Sequence, residues 1–551
     1  MTIEQEYPDL TKWPILREAL AYWGQTLLVL IFLGLVVASF RDILIRFQDT
    51  VSSRGLGAGL LGLPMAVVGG LLTTIRSLAI GLLEILSLPL GIRRVWAIAR
   101  LAIQESIRRR VLYVLLLFLL PFLFAGWYLP KADEGQLLYL VGFTNTTIGW
   151  LLLPMVLFVV AMSIPNDLKT RTIQTVVTKP VRRIELIVGR VLGFMMVFTG
   201  VILVMGGVSL AYIYYQVSDE VLRDQWTARV PVYAKVENQE TVPFFFVKQG
   251  VAGLSGTNVG REWNYRSHIE GDTSDEARWM FTFDPKLFAG MDRAKVGMTF
   301  DIFKTTKGNP TREEDDSSGV WASLDFIDVT NPSNKFDDVF RVNNNRLTEI
   351  DVPASVLSSG QLVVRAQCQT RNQFIGMAKH DLFLLAKEQS FEWNFIKGLI
   401  TLWLKMLFLT SVAVAASTVL NGFVTVIFTV GAYIIGLVHN FLMDVAGGRI
   451  LGGGPIESLV RLVSQMNQTA DLEEGLVRWS VKNIDPVLAK MLGAVGAVVP
   501  DLSTIETAEY VASGFDIPGW LMARNALLVI GYVIPVVIAG YFLFRSRETA
   551  A

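Results

Sequence analysis

The chain has 551 residues, of which 52% are hydrophobic and 18% charged, and its 49 basic and 49 acidic side chains cancel to a formal charge of zero. That balance offers no electrostatic footing for nucleic acid, and the apolar share is too large for a soluble protein of this length. The apolar residues gather in uncharged blocks, and a bilayer-spanning helix needs roughly 20 in a row, so the chain reads as a mostly α-helical, multi-pass membrane protein.

In chain order, residues 1–92 read as a membrane-associated extension with one or more hydrophobic helices. Its opening "MTIEQEYPDL" is acidic, and the first apolar block, Trp23 to Phe40, lacks a basic lead-in and a small-residue cleavage site. No cleavable signal peptide is therefore expected. The next block carries Gly55, Gly59, Gly62, Gly69 and Gly70, which suit either close helix packing in lipid or an interfacial hairpin. The number of crossings here stays open.

Six later blocks read as spans: Val111–Tyr128, Thr147–Ile164, Val191–Tyr215, Phe395–Val419, Gly422–Met443 and Asn525–Phe544. Lys and Arg concentrate beside the cytoplasmic ends of spans. The basic "RRVWAIARLAIQESIRRR" (Arg93 to Arg110) precedes the first span, and the slightly acidic "KADEG" follows it. A second basic stretch, with Lys169, Arg171, Lys179, Arg182, Arg183 and Arg190, follows the second span, and Arg545 and Arg547 follow the last. All three basic segments are expected on the cytoplasmic side. Lys405 falls inside the fourth span, where a charge costs roughly 2.5–3.5 kcal/mol on insertion scales. It reads as an intramembrane functional residue, as a snorkelling side chain, or as a sign that the span starts later.

Between the third and fourth spans, residues 216–394 are polar and rich in turn signals. "KVGMTFDIFK", "VWASLDFIDV" and "QLVVRAQCQT" alternate apolar with polar, and Leu362, Val364, Ala366 and Cys368 share one face of the last. This period of two predicts half-buried strands in an inserted, extracytoplasmic, β-sandwich-like domain. Cys368 is the only cysteine, which excludes an intrachain disulfide, and reads as a small apolar strand residue. Within the last part of the chain, 395–551, the acidic segment 444–520 predicts short helices at the outer surface.

Catalytic motifs are missing. His268, His380 and His439 are far apart in sequence, and no His or Cys pair has metal-ligand spacing. The acidic run Glu313 to Asp316 lacks the EF-hand pattern and reads as a solvated loop. The chain contains no Gly-Lys dipeptide, so it has no phosphate-binding P-loop. "LSSGQ" (Leu357 to Gln361) is one residue from the signature loop of ABC ATPases, but that loop must open a helix whose N-terminus faces phosphate. Here it runs into the predicted strand "LVVRAQC", which makes it a turn. No catalytic residue, metal or cofactor is expected on this chain.

The basic stretch after the second span resembles the cytoplasmic loop of ABC-2 type permeases. The matching positions are Asp167, Thr172, Ile173, Pro180, Val181, Arg183, Glu185, Gly189 and Arg190, with Arg182 beside them. Asp167 stands where that family usually has Glu, and Arg171 where it commonly has Gly before the Thr. The stretch from Arg93 to Arg110, with Arg94, Trp96, Arg100, Arg108, Arg109 and Arg110, looks like the family's connecting helix, with Arg100 near the Trp96, Ile103 and Ile107 face. The resemblance covers residues 93–215 and, more weakly, 395–551.

It implies a six-span permease in a bacterial inner membrane, paired as a homodimer or heterodimer with a second permease. ATP and Mg would be bound by a separate ATPase subunit, docked on the loop as a coupling element. An exporter of a lipid, glycan or hydrophobic compound is the first reading. A non-transporting mechanotransmission or sensory protein, whose β-domain binds an envelope partner or ligand, is the alternative.

Overall fold

The computed structural model describes residues 91–108, 113–114, 117–118, 120–121, 136–169, 181–216, 227–236, 242–259, 265–304, 320–449, 454–465 and 476–545. The N-terminal extension, most of the expected span Val111–Tyr128, Arg109, Arg110, Thr172, Ile173, Pro180 and the acidic run Glu313–Asp316 lie outside them. The chain divides into two compact units, one at Asp224–Phe391 with Gly514–Asp516, the other holding the helices.

The first unit is built of antiparallel strands: β1 (Thr227–Tyr233), β2 (Phe244–Lys248), β3 (Val251–Gly253), β4 (Ser267–Glu270), β5 (Glu276–Thr282), β6 (Arg293–Met298), β7 (Asp301–Lys304), β8 (Trp321–Asp328), β9 (Lys335–Arg341), β10 (Thr348–Pro353), β11 (Gln361–Cys368), β12 (Gln373–Met377) and β13 (Leu382–Ser390). They form sheets ordered β1-β13-β6-β10, β3-β2-β5-β11-β8-β9 and β4-β12-β7. All three sheets contribute to one core, in which Trp279, Leu324, Val296, Leu362 and Ile375 are fully buried.

The alternation in β11 puts Leu362, Val364, Ala366 and Cys368 into that core and Gln361, Arg365 and Gln367 on the other face. "KVGMTFDIFK" does not make one strand. It breaks at Thr299–Phe300, so β6 and β7 enter different sheets. "LSSGQ" is a turn into β11, with Gly360 at φ +78°, where a Cβ would lie 2.6 Å from the Phe283 carbonyl oxygen. Glycine is required there on both counts.

The second unit contains α1 (Ile92–Arg108), α2 (Gln136–Met155), a π-helical turn (Val156–Val160), α3 (Ser163–Lys169), α4 (Arg183–Gln216), α5 (Phe391–Ser417), α6 (Gly422–Leu437), α7 (His439–Ala446), α8 (Pro455–Ser464), α9 (Leu476–Val498), α10 (Leu502–Ile505), α11 (Ala508–Ala512) and α12 (Gly519–Arg545). Among the described residues, four helices are long and apolar enough to cross a membrane: Tyr139–Asp167, Arg183–Gln216, Phe391–Ser417 and Gly519–Arg545. The first of these starts earlier than the sequence pattern suggests and continues through Pro154. A proline removes one backbone donor and crowds the preceding turn, and the π-turn follows directly after it.

The expected span Gly422–Met443 is a bent pair, α6 and α7, turned by 72° at Val438, which together are long and apolar enough to count as a fifth crossing. At 16 residues, α6 is shorter than the roughly 20 a bilayer core requires. Within the expected short helices of 444–520, α9 is 23 residues long.

Candidate functional site

The connecting segment does form an amphipathic helix, but it buries a different face from the one its large apolar residues suggest. Val95, Ile98, Ala99, Ala102 and Ser106 of α1 are buried, whereas Trp96 is 56% and Ile107 53% exposed, with Arg100 outward beside them. The reason is close packing. A Cβ on Gly189 would lie 2.7 Å from Ile98 Cβ, and one on Gly193 would lie 2.6 Å from the Ala99 carbonyl oxygen. Two glycines four apart on α4 let the backbone of α1 approach, as small residues do between helices in lipid. Trp96 is too bulky for that seam.

At this crossing the structure gathers several of the motif residues. Arg190, 4% exposed, reaches Glu105 of α1 and Asp167 of α3, and its Nη1 donates to Ser163 Oγ at 2.6 Å. One turn earlier, the fully buried Glu185 pairs with Arg94 of α1 at 3.0 Å. Its Oε2 also accepts the Arg182 N–H at 2.9 Å, capping the first turn of α4. Asp167, Arg190 and Glu105 thus form a knot joining α1, α3 and α4, while Glu185 with Arg94 forms a second tie between α1 and α4, with Gly189 in the seam between the two helices. Arg108 and Arg100 stay exposed outside it, and Val181 and Arg182 are half-buried at its edge.

Arg183 is placed elsewhere. Its Nη1 donates to the Arg545 carbonyl at 2.6 Å, and its guanidinium lies 5.7 Å from the Phe544 ring centroid. It caps the C-terminus of α12, where orphan carbonyls and the helix dipole favour a cation.

Lys405 lies on α5 and does not snorkel, being 5% exposed. Its ammonium is 2.9 Å from Glu506 Oε2 and 5.3 Å from the Tyr433 ring centroid. It lines a cleft of about 90 Å³ among α2, α5, α6 and the α10–α11 junction. A second buried lysine, Lys397, was not singled out by the sequence. It donates to the Ile517 carbonyl at 2.9 Å while Asn394 accepts the Ile517 N–H, tying α5 to the segment before α12.

Ion pairing in the β unit centres on Arg266, whose Nε and Nη2 donate to both oxygens of Asp381 at 2.7 and 2.9 Å. Burial pushes the Asp381 carboxyl upward against that fork. Burial likewise pushes the Cys368 thiol up to about 11, so it is protonated and inert at neutral pH. Among the described residues, no group of three or more His, Cys, Asp or Glu is placed to hold a metal.

Glu105, Ser163 and Glu506 were missed by the sequence reading. Glu105 carried one available signal, as the single acidic residue in a strongly basic helix. No protein family matches the chain, and no curated protein or solved structure matches it significantly.

Proposed function

We propose that this chain is the membrane-spanning permease subunit of an ABC-2 type transporter in a bacterial inner membrane. ATP hydrolysis on a separate ATPase subunit drives export of a lipid, glycan or hydrophobic compound, and a second permease, identical or related, completes the pore. The β unit faces outward, and the basic loop and the C-terminus face the cytoplasm.

One observation carries this reading. Asp167, Glu185, Gly189 and Arg190, which match the family's loop, lie at both ends of the segment 170–180 and are locked together with Arg94 and Glu105 of the connecting helix. A push on that loop acts on α1, α3 and α4 as one body, because displacing any one of them breaks buried charge pairs. That arrangement suits a coupling element, whereas retention of the loop on the cytoplasmic side would need only its positive charges.

The test is purification from native membranes. An ABC ATPase is expected to accompany the wild-type chain, and Lys179→Glu with Arg182→Glu is expected to release it. Like charges set close together cost several kcal/mol, and every 1.4 kcal/mol or so is tenfold in affinity. Arg183 is left unchanged because its reversal would strip the cap from α12. An ATPase retained at full stoichiometry on the correctly inserted double variant would show that the loop is not the coupling element. Liposomes in which ATP is hydrolysed without export would move the reading to mechanotransmission.

A further inference from the structure

We propose that the cleft around Lys405 is a binding site for the anionic headgroup of an amphiphile, a phosphate or carboxylate on a hydrocarbon chain. Asn145 of α2 is 8% exposed and lines the cleft, and its Nδ2 has no hydrogen-bond partner. Two of the hydroxyls lining the cleft are already engaged: Thr401 donates to the Gly398 carbonyl at 2.7 Å and lies 2.6 Å from the Thr507 hydroxyl. What the cleft offers is therefore an unsatisfied amide donor and a buried ammonium. Both call for an acceptor-rich, negatively charged ligand.

Glu506 fills part of that need in a replaceable way. Its side chain is 51% exposed, against 7% for that of Lys405, and its backbone is extended at the junction between two short helices. An incoming anion can take its place on the ammonium while Glu506 turns into solvent, so no charge is left buried alone. The hydrocarbon part has a path of its own. The cleft wall includes Leu153, Leu402 and Trp150, and Trp150 is 71% exposed on the outer surface of a helix apolar enough to face lipid. A polar end fixed by a few convergent groups inside apolar walls is the usual design of a small-ligand site.

That this ligand is transported cargo rests on the exporter reading; binding does not.

The experiment uses the full chain in nanodiscs of phosphatidylcholine, with radiolabelled dodecyl phosphate in equilibrium dialysis and empty discs as background. Saturable binding is expected, with no competition from dodecyl maltoside and weak competition from dodecylphosphocholine. Inorganic phosphate should compete poorly, which separates a lipid-like headgroup from a free anion. Lys405→Gln should weaken binding by about tenfold or more, the scale of one charge-assisted hydrogen bond. Glu506→Gln should tighten it by about tenfold, because the ammonium no longer has a competing carboxylate. Opposite signs for two partners of one ion pair are not what a purely structural pair would give.

Should Lys405→Gln fail to accumulate, Glu506→Gln and Asn145→Ala decide, the latter with a loss of about tenfold, roughly one hydrogen bond to an ionised acceptor. Unchanged or weaker binding in Glu506→Gln would overturn the assignment, as would equal competition by maltoside or by inorganic phosphate. Since no ATPase takes part, failure of the transporter reading would leave a positive binding result standing.

Discussion

Arg190 and Lys405 are both buried cations of the helical unit, and their surroundings differ in one respect. Arg190 is met by two carboxylates and a hydroxyl from two other helices, none of them more than 20% exposed among the carboxylates. Lys405 has one half-exposed carboxylate and an aromatic ring, beside an amide whose donor is unsatisfied. A closed polar cluster fixes geometry, since every member loses a partner if the helices shift. An open one keeps interaction capacity in reserve. In the transporter reading proposed above, the first sits where movement would be transmitted, and the second where a ligand would be received.

The sharpest way to break this contrast is to remove the centre of the closed cluster. Arg190→Met leaves Glu105 and Asp167 without their shared cation, and removing one member of a buried charge cluster typically costs about 3–5 kcal/mol. Heating the purified protein and following its monodisperse fraction by size-exclusion chromatography should show a large loss. Little loss would mean that solvent reaches this knot and that its charges are not buried as described.

A smaller effect is expected from the seam that lets the knot close. Gly193→Ala puts a methyl group 2.6 Å from the Ala99 carbonyl oxygen and 2.7 Å from Ala102 Cβ. Backbone cannot yield as a side-chain tip does, so overpacking of about 1–3 kcal/mol is expected in the same heating assay. The matching change at Gly200, whose added Cβ meets nothing within 4 Å, should be neutral to slightly stabilising. Equal behaviour of the two variants would show that α1 does not rest on α4 through this seam.

How far the sequence led differs for the same two sites. Asp167, Glu185, Gly189 and Arg190 were legible because their order along the chain resembles a known loop, and Lys405 because a charge in an apolar run is conspicuous. Their partners were not legible. Glu105 is 85 positions from Arg190, and Glu506 is 101 from Lys405 in a segment already rich in acidic residues. Pairing across such separations is a property of tertiary packing, which a local pattern does not encode.

The face of α1 was hidden for another reason. Trp96 and Ile107 keep helical spacing on an exposed face shared with Arg100 and Arg108, and the protein contact is made instead by Val95, Ile98 and the small Ala99, Ala102 and Ser106. The strands read more clearly, because in a unit with one core the period of two has only one meaning, as β11 demonstrates. The break between β6 and β7 was not visible, since Thr299 and Phe300 continue the alternation.

The β unit adds a mild version of the same contrast, charge that is opposed rather than paired. Asp325 on β8 stands directly opposite Asp337 on β9 and opposite Arg365 on β11. Its carboxyl is raised above the ordinary value, first by burial and then by Asp337, while Arg365 and Lys335 pull it down and Glu276 pushes it slightly up. A carboxyl raised in the folded state favours folding most when protonated. Its contribution is full below the ordinary value of 3.8 and is lost as pH rises through the folded value. At neutral pH both carboxylates are charged and repel across the rung.

Asp337→Asn removes that repulsion and keeps the shape. It should stabilise β8 and β9 by roughly 0.2–1 kcal/mol at pH 7, toward the low end because water screens a pair this accessible. Amide hydrogen exchange in the full chain should report it as slower exchange confined to these two strands. The gain should shrink as pH falls toward 3.8 and Asp325 takes up its proton. Faster exchange in the variant at pH 7 would mean that Asp337 supports the sheet through a favourable contact outweighing the repulsion, and that this rung is closed after all.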